Sequence, residues 1–326
     1  MLARLRTPLF SALVALLAAC RSDAPPPPDT AGAASASPAV RSAAPDAPLP
    51  GPEHLTADAT DADIVGHLAR AERLAAATTE LVTLFPDLDR ARAYRIQMHR
   101  LDERLGGDRL AGWKIGYSRQ DDPRTPLDPV FGHVLASQIY ESGAVLPASL
   151  FVGGTPLVEA EVAVWLASDL PGPAVTREDV VAAVDHIGAS IELVSPRAAA
   201  PPGASTTRAH DIADDVFHAG TVLSDRRFGV PEINLATERA QVQVNGEVEV
   251  EGRTATIMGR DPIEAVVWLA NELPKYGQQL RAGQVVLTGT VVNPPPIAVG
   301  DTARVEFTTL GAVELTLGGA QTPRAP

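Results

Sequence analysis

The sequence predicts an α+β fold in which two helices lead into a β-rich core. Three observations predict it. Apolar residues recur at helical spacing between Ile64 and Leu105. From Leu110 onward the apolar runs shorten to strand length and are separated by Gly- and Pro-containing turns. Val242 and Val244, then Asn245-Gly246, then Val248 and Val250 form a strong two-residue hairpin signal. Periodicity leaves open whether the strands close as a sandwich or a barrel.

Taken in order, Ile64, Leu68, Ala71, Ala75, Val82 and Phe85 predict one amphipathic helix over about 61–84. Asp87 is placed to cap a second helix, with Ala91, Tyr94, Met98, Leu101 and Leu105 on one face. Gly106-Gly107 ends it. Residues 111–117 read as a short strand around Trp113-Lys114-Ile115, and 158–166 as a longer one. Thr176 with Asp179 approximates a capping box for a helix reaching about Ile187. Residues 190–194 follow as a buried strand. Asp261-Pro262-Ile263-Glu264 starts another helix, with Pro at its first position and Val266, Leu269, Ala270 and Leu273 on its core face. Residues 285–287, 303–307 and 313–317 read as closing strands.

The N-terminal region has a different character. Arg4 and Arg6 precede an apolar run over 9–17 that is too short to span a bilayer. Leu17-Ala18-Ala19-Cys20 follows, which resembles a bacterial lipoprotein signal with Cys20 as the acylated residue. An ordinary cleaved signal peptide with an incidental cysteine is the alternative. The resemblance implies anchoring in the cell envelope on the periplasmic side, with Arg21 after the cysteine favouring the outer membrane. Cys20 is the only cysteine of the chain, so the folded part has neither a disulfide nor thiolate chemistry. Residues 21–53, rich in Pro and Ala, read as a disordered tether. Residues 54–320 are the expected catalytic domain, with 321–326 as a tail. A net charge of −13 and 4% aromatic residues argue against nucleic-acid binding.

The chemistry concentrates in Val158-Glu159-Ala160-Glu161 and Ile191-Glu192-Leu193. These place three carboxylates in runs that otherwise read as buried strand. Residues two apart on a strand share a face, so Glu159 and Glu161 can reach one ion. A half-exposed strand would also put two glutamates two apart. Glu192, flanked by apolar residues on both sides, favours a buried site shared by all three. A buried carboxylate is costly unless neutralised, and three together point to a divalent cation with oxygen ligands.

Lys114 is the second unusual residue. The 27 basic residues include just two lysines, Lys114 and Lys275. Arginine stays charged, whereas a buried lysine can lower its pKa and exchange a proton. A lysine between Trp113 and Ile115 therefore suggests a small titratable cation in a site. The alternative is a rim lysine paired with a surface carboxylate. A third element, Leu287-Thr288-Gly289-Thr290, offers hydroxyls and a close backbone approach where a strand ends.

Gly112-Trp113-Lys114-Ile115-Gly116, Val158-Glu159-Ala160-Glu161, Ile191-Glu192, Ala213-Asp214-Asp215, Trp268-Leu269-Ala270-Asn271 and Leu287-Thr288-Gly289 occur in one order. That ordered set resembles the 2-keto-4-pentenoate hydratase family of the fumarylacetoacetate hydrolase superfamily, over roughly Ile64 to Leu317. The resemblance implies a mostly antiparallel, barrel-like β-roll with outer helices. It implies Mg²⁺ or Mn²⁺ held by Glu159, Glu161 and Glu192. It makes Lys114 and Asp214 catalytic candidates, and places Lys114, Thr288 and Gly289 near the substrate carboxylate. The implied substrates are small 2-oxo or 2-hydroxydienoic acids, and a homo-oligomer is implied. Departures from the family pattern are Asp215, where Asn is frequent, and Val130, where hydratases commonly carry an acidic residue. Hydration is the leading expectation. Decarboxylation of a 4-oxalocrotonate-type acid, acylpyruvate hydrolysis, and a lipid-anchored 2-oxo acid binder without turnover are the alternatives.

Overall fold

The computed structural model describes residues 48–122, 126–152 and 155–319. The signal segment with Cys20, most of the tether and the 321–326 tail lie outside the described residues. Among those described, no helix is long and apolar enough to cross a membrane.

Helices α1 (Asp61–Arg73), α2 (Glu80–Leu84) and α3 (Arg90–Leu105) open the fold. Strands β1 (Leu110–Gly116), β2 (Val130–Leu135), β3 (Ile139–Glu141), β4 (Ala144–Pro147) and β5 (Leu157–Leu166) follow. Then come α4 (Arg177–Ala183), β6 (Val184–Val194), α5 (Arg208–Ala213) and β7 (His218–Leu223). The chain closes with β8 (Arg239–Val244), β9 (Glu247–Arg253), α6 (Pro262–Glu272), β10 (Val285–Leu287), β11 (Thr302–Phe307) and β12 (Gly311–Gly318).

The strands form a seven-stranded sheet in the order β2-β1-β10-β5-β6-β7-β3 and a five-stranded sheet in the order β4-β12-β11-β8-β9. Most pairs are antiparallel, while β1–β10, β3–β7 and β4–β12 are parallel. The larger sheet curls until β2 meets β7, which makes a half-barrel, and β11 and β12 lie against β6. The α+β expectation and the barrel-like alternative are therefore met. The central pair β5–β6 runs from Leu157↔Val194 to Leu166↔Val184. Val158, Ala160, Val162 and Val164 face the main core, and Glu159, Glu161 and Ala163 take the opposite, concave face.

Several boundaries differ from the sequence reading. The first helix is not continuous to 84. It stops at Leu74, where Ala75 turns left-handed (φ 48°), and Thr78 pairs with Ala198 instead. That tertiary pairing overrides the helical spacing. The cap of α3 is Asp89, accepting from the Arg92 N–H at 2.8 Å, not Asp87. Helix α4 ends at Ala183 rather than near 187, because Val184 already pairs with Leu166. The tether ends before Glu53: the Pro48 and Pro52 carbonyls bond Arg73 and His67, and Gly51 packs on Gly66. The Asn245-Gly246 turn has both residues at positive φ, as the hairpin signal requires.

Candidate metal centre

The cross-strand register builds the carboxylate cluster. Glu159 lies opposite Glu192 on the β5–β6 ladder, and Glu161 is the next residue on the same face. One oxygen from each of Glu159, Glu161 and Glu192 lies within 4.8 Å of the others. Glu161 and Glu192 are fully buried, while Glu159 is half-buried and lines a cavity of about 260 Å³. A one-residue slip of register would send these carboxylates into the apolar core, so the pattern of valines around them fixes the site.

Each buried carboxylate keeps one oxygen for the protein and leaves the other unsatisfied. Glu161 Oε2 accepts the Gly289 N–H at 2.7 Å, and its Oε1 has no partner. Glu192 Oε1 accepts Lys114 Nζ at 3.1 Å and pairs with His218 Nδ1 at 2.9 Å, while Oε2 has no partner. Two orphaned, fully buried carboxylate oxygens on one face are the donor set of a hard divalent cation. The charges agree, since three carboxylates against the Lys114 ammonium leave a deficit that such an ion fills.

The electrostatics carry the same message. Burial first, then the Glu192 charge, pushes the Glu159 carboxyl up to about 7. Burial and the two neighbouring glutamates raise Glu161 well above the carboxylate range. Burial alone would raise Glu192 too, but Lys114 and His218 outweigh it and hold it low. A bound cation relieves the repulsion that holds protons on the other two.

Lys114 sits on β1 across β10 from this pair, fully buried, and donates a second hydrogen bond to the Val216 carbonyl at 3.0 Å. It is not the depressed lysine expected from its apolar neighbours. Burial alone would lower it, but the charges of Glu192, Glu159 and Glu161 raise it instead. The carbonyl it meets belongs to a strained segment. Asp215, Val216 and Phe217 all have positive φ, between 49° and 67°, which is rare for a branched or bulky side chain. The His133 ring and Arg104 hold Asp215, and Gly132 leaves room for its carbonyl.

Three of the expected site residues have other partners. Asp214 does not reach the cavity. Its oxygens take the Arg197 side chain at 2.5 Å and the Arg197 and Ala198 N–H groups, because the chain must clamp 195–198 behind the site. Thr288 is fully buried and its hydroxyl donates to the Val162 carbonyl at 2.9 Å, while the Gly289 N–H is committed to Glu161. These groups hold the sheet and a buried carboxylate of the cluster rather than facing the cavity. Gly289 sits at φ 102°, and a Cβ there would lie 1.8 Å from Ser118 Oγ. His218 is not legible in the sequence, because a lone histidine in an apolar strand carries no local signal. Its geometry shows it as the group that orients Glu192.

Residues 109–317 match the family Fumarylacetoacetate (FAA) hydrolase C-terminal. The chain belongs to the fumarylacetoacetate hydrolase family. Among curated relatives, the 2-hydroxyhexa-2,4-dienoate hydratase of Comamonas testosteroni is 33% identical, over 72% of this chain and 88% of the relative. The 2-oxo-hept-4-ene-1,7-dioate hydratase of Escherichia coli is 30% identical, over 70% of this chain and 87% of the relative. Among solved structures, 4-oxalocrotonate decarboxylase from Pseudomonas putida G7, complexed with magnesium and adipate, superposes with a TM-score of 0.71 at 26% identity. That match covers 78% of this chain and 95% of the decarboxylase. Membership in the family and the half-barrel fold thus agree with the ordered motifs.

Proposed function

We propose that the protein is a metal-dependent hydro-lyase that hydrates a 2-hydroxypenta-2,4-dienoate-type acid to a 4-hydroxy-2-oxo acid. One observation carries this reading. Two unpartnered carboxylate oxygens, a third half-buried glutamate and a buried ammonium converge at the base of a cavity of about 260 Å³. Glu159, Glu161 and Glu192 would hold Mg²⁺ or Mn²⁺. Such an ion, when bound, supplies Lewis acidity toward the carboxylate and keto oxygens of a 2-oxo acid.

The chain's own groups supply the rest. Lys114, held charged by three glutamates, is a fixed donor for negative charge developing on the keto oxygen. His218 and Gly289 hold Glu192 and Glu161 in place. In the reaction the dienol loses its C2 hydroxyl proton while C5 gains one, which gives the conjugated 2-oxo-3-enoate; water then adds its oxygen at C4 and a proton goes to C3, for a net gain of one water.

The likeness to a decarboxylase supports a second reading, loss of carbon dioxide from an oxalocrotonate-type acid. Product mass separates the two. The full-length protein is assayed on 2-hydroxypenta-2,4-dienoate by ultraviolet absorbance with Mg²⁺, with Mn²⁺ and with chelator. Metal-dependent gain of one water is the expected result. Loss of carbon dioxide from an oxalocrotonate analogue alone moves the protein to the decarboxylase branch. Metal binding without any turnover leaves a 2-oxo acid binder. The run Leu17-Ala18-Ala19-Cys20 supports acylation at Cys20 and anchoring on the periplasmic side of the cell envelope. Mass spectrometry of the membrane fraction tests it, and an unmodified Cys20 would refute it. The resemblance supports a homo-oligomer as well, which sedimentation of the purified chain tests.

A further inference from the structure

Family membership does not choose the far end of the substrate. The names of the two hydratase relatives divide between a dienoate with one carboxylate and a 1,7-dioate with two. The choice rests with the wall of this chain's own cavity, and the strand register defines that wall.

Residues two positions along a strand share a face. One step outward from Glu159 on β5 is Leu157, and one step outward from Glu192 on β6 is Val194. The two face each other as a cross-strand pair, Leu157↔Val194. Outward from Lys114 on β1 is Gly116, where a Cβ would lie 2.7 Å from Val216 Cγ1. Val216 therefore fills the space that a side chain at 116 would occupy. Leu157, Val194, Val216, Phe217, Val292 and Pro294 all line the cavity. A substrate chain extending outward from the cluster meets aliphatic and aromatic side chains first.

Among the described residues that line the cavity, the cations are Lys114 and Arg119. Both are committed to the protein. Lys114 bonds Glu192 and the Val216 carbonyl. Arg119 donates from Nη1 to the Val292 carbonyl and Asn293 Oδ1, both at 2.9 Å, and from Nε and Nη2 to Asp121. The other charged groups on the wall, Glu159 and Asp122, are acidic. The Tyr117 hydroxyl donates to Asp211 at 2.7 Å, and the Ser118 hydroxyl to the Thr288 carbonyl at 3.1 Å. Among the described residues, a second carboxylate placed here would lose its water without gaining an ion pair.

We infer that the cavity selects 2-oxo acids with an uncharged, apolar tail and rejects those carrying a second, distal carboxylate. The inference rests on the reading of the cluster as the site that anchors the 2-oxo acid end. Leu157 and Val194 set the selectivity, because they flank the path directly above the ligands.

Isothermal titration of the full-length, Mg²⁺-loaded protein with 2-oxohexanoate and with 2-oxoadipate tests it. The expected result is at least tenfold tighter binding of 2-oxohexanoate. Equal affinity, tighter binding of 2-oxoadipate, or binding of neither overturns the inference. In Leu157→Lys, at a half-buried position on the cavity wall, the preference is expected to shrink at least tenfold. An unchanged preference removes Leu157 from the tail's path and overturns the assignment of the wall. Preferred binding of 2-oxohexanoate without hydration of 2-hydroxyhexa-2,4-dienoate would leave the selectivity standing and refute the proposed reaction.

Discussion

Glu192 divides its two oxygens between the protein and the site, and that division gives the sharpest predictions at the residue scale. Lys114 and His218 occupy Oε1, so Oε2 is free to take a cation. Removing the His218 ring in His218→Ala frees the carboxylate to rotate. Loss of an outer-shell partner of this kind weakens metal affinity about 10- to 100-fold. Titration of the purified variant with Mn²⁺ measures the effect, and an unchanged affinity would make His218 a packing residue. Glu161→Gln is expected to abolish Mg²⁺ and Mn²⁺ binding while circular dichroism shows the fold intact, because the amide removes the charge and keeps the volume. Lys114→Arg preserves the charge but not the compact ammonium between Glu192 and the Val216 carbonyl. Turnover is expected to fall by roughly 10²–10³, the usual cost of losing one preorganised donor. Near-normal turnover would return Lys114 to a structural role.

At the scale of elements, the site depends on two backbone features. One is the turn after β10, where Gly289 at φ 102° aims its N–H at Glu161 and leaves no room for a Cβ beside Ser118 Oγ. Gly289→Ala combines strain at positive φ with overpacking, and a loss of stability of roughly 2–5 kcal/mol is expected from the two together. Differential scanning calorimetry checks it, and a melting temperature within a degree of the parent protein would count against the geometry. The other feature is the strained 215–217 segment, which delivers the Val216 carbonyl to Lys114. The local sequence pattern is enough to place β1, β5, the α6 start and the 245–246 hairpin. It does not reveal β2, β3, β4 and β7, of which β3 and β4 pair with the distant strands β7 and β12. It extended α1 and α4 too far because a tertiary pairing, not a breaker residue, ends each of them.

At the scale of the whole molecule, a buried charge network braces the site from behind. Arg197 is fully buried between Asp214 and the His218 carbonyl, Arg100 reaches Glu72 and Asp214, and Arg104 reaches Asp215. Burial alone would raise Glu72, but Arg100, Arg104 and Arg197 outweigh it and lower its carboxyl from 4.5 to about 2. Asp215 is lowered as well, its burial overcome by His133 and Arg104. A carboxyl whose folded pKa is depressed adds stability that is complete above its unfolded value. That stability is lost as pH falls toward the folded one. Melting temperature is therefore expected to fall through pH 4.5 to 2, and to fall less steeply in Glu72→Gln. Parallel curves for the two proteins over that window would show that Glu72 does not couple folding to pH. The network also accounts for Asp214, whose conspicuous Ala213-Asp214-Asp215 motif serves the brace and not the cavity.

The sequence by itself determined the three glutamates, the unusual lysine and the apolar alternation that sends the glutamates to one face of a strand. Those are local properties, set by a period of two and by the cost of burying charge. Tertiary structure alone decided the rest. It placed Glu159 opposite Glu192, brought Lys114 to them across β10, and supplied His218 and Gly289 as the partners that leave one oxygen of each buried ligand free. It also turned Thr288 into the sheet and closed the cavity's cations onto protein acceptors. Each of these is a contact between residues 26 or more positions apart. Register and curvature, which the packing of the whole core sets, choose such contacts, and no window of sequence contains them.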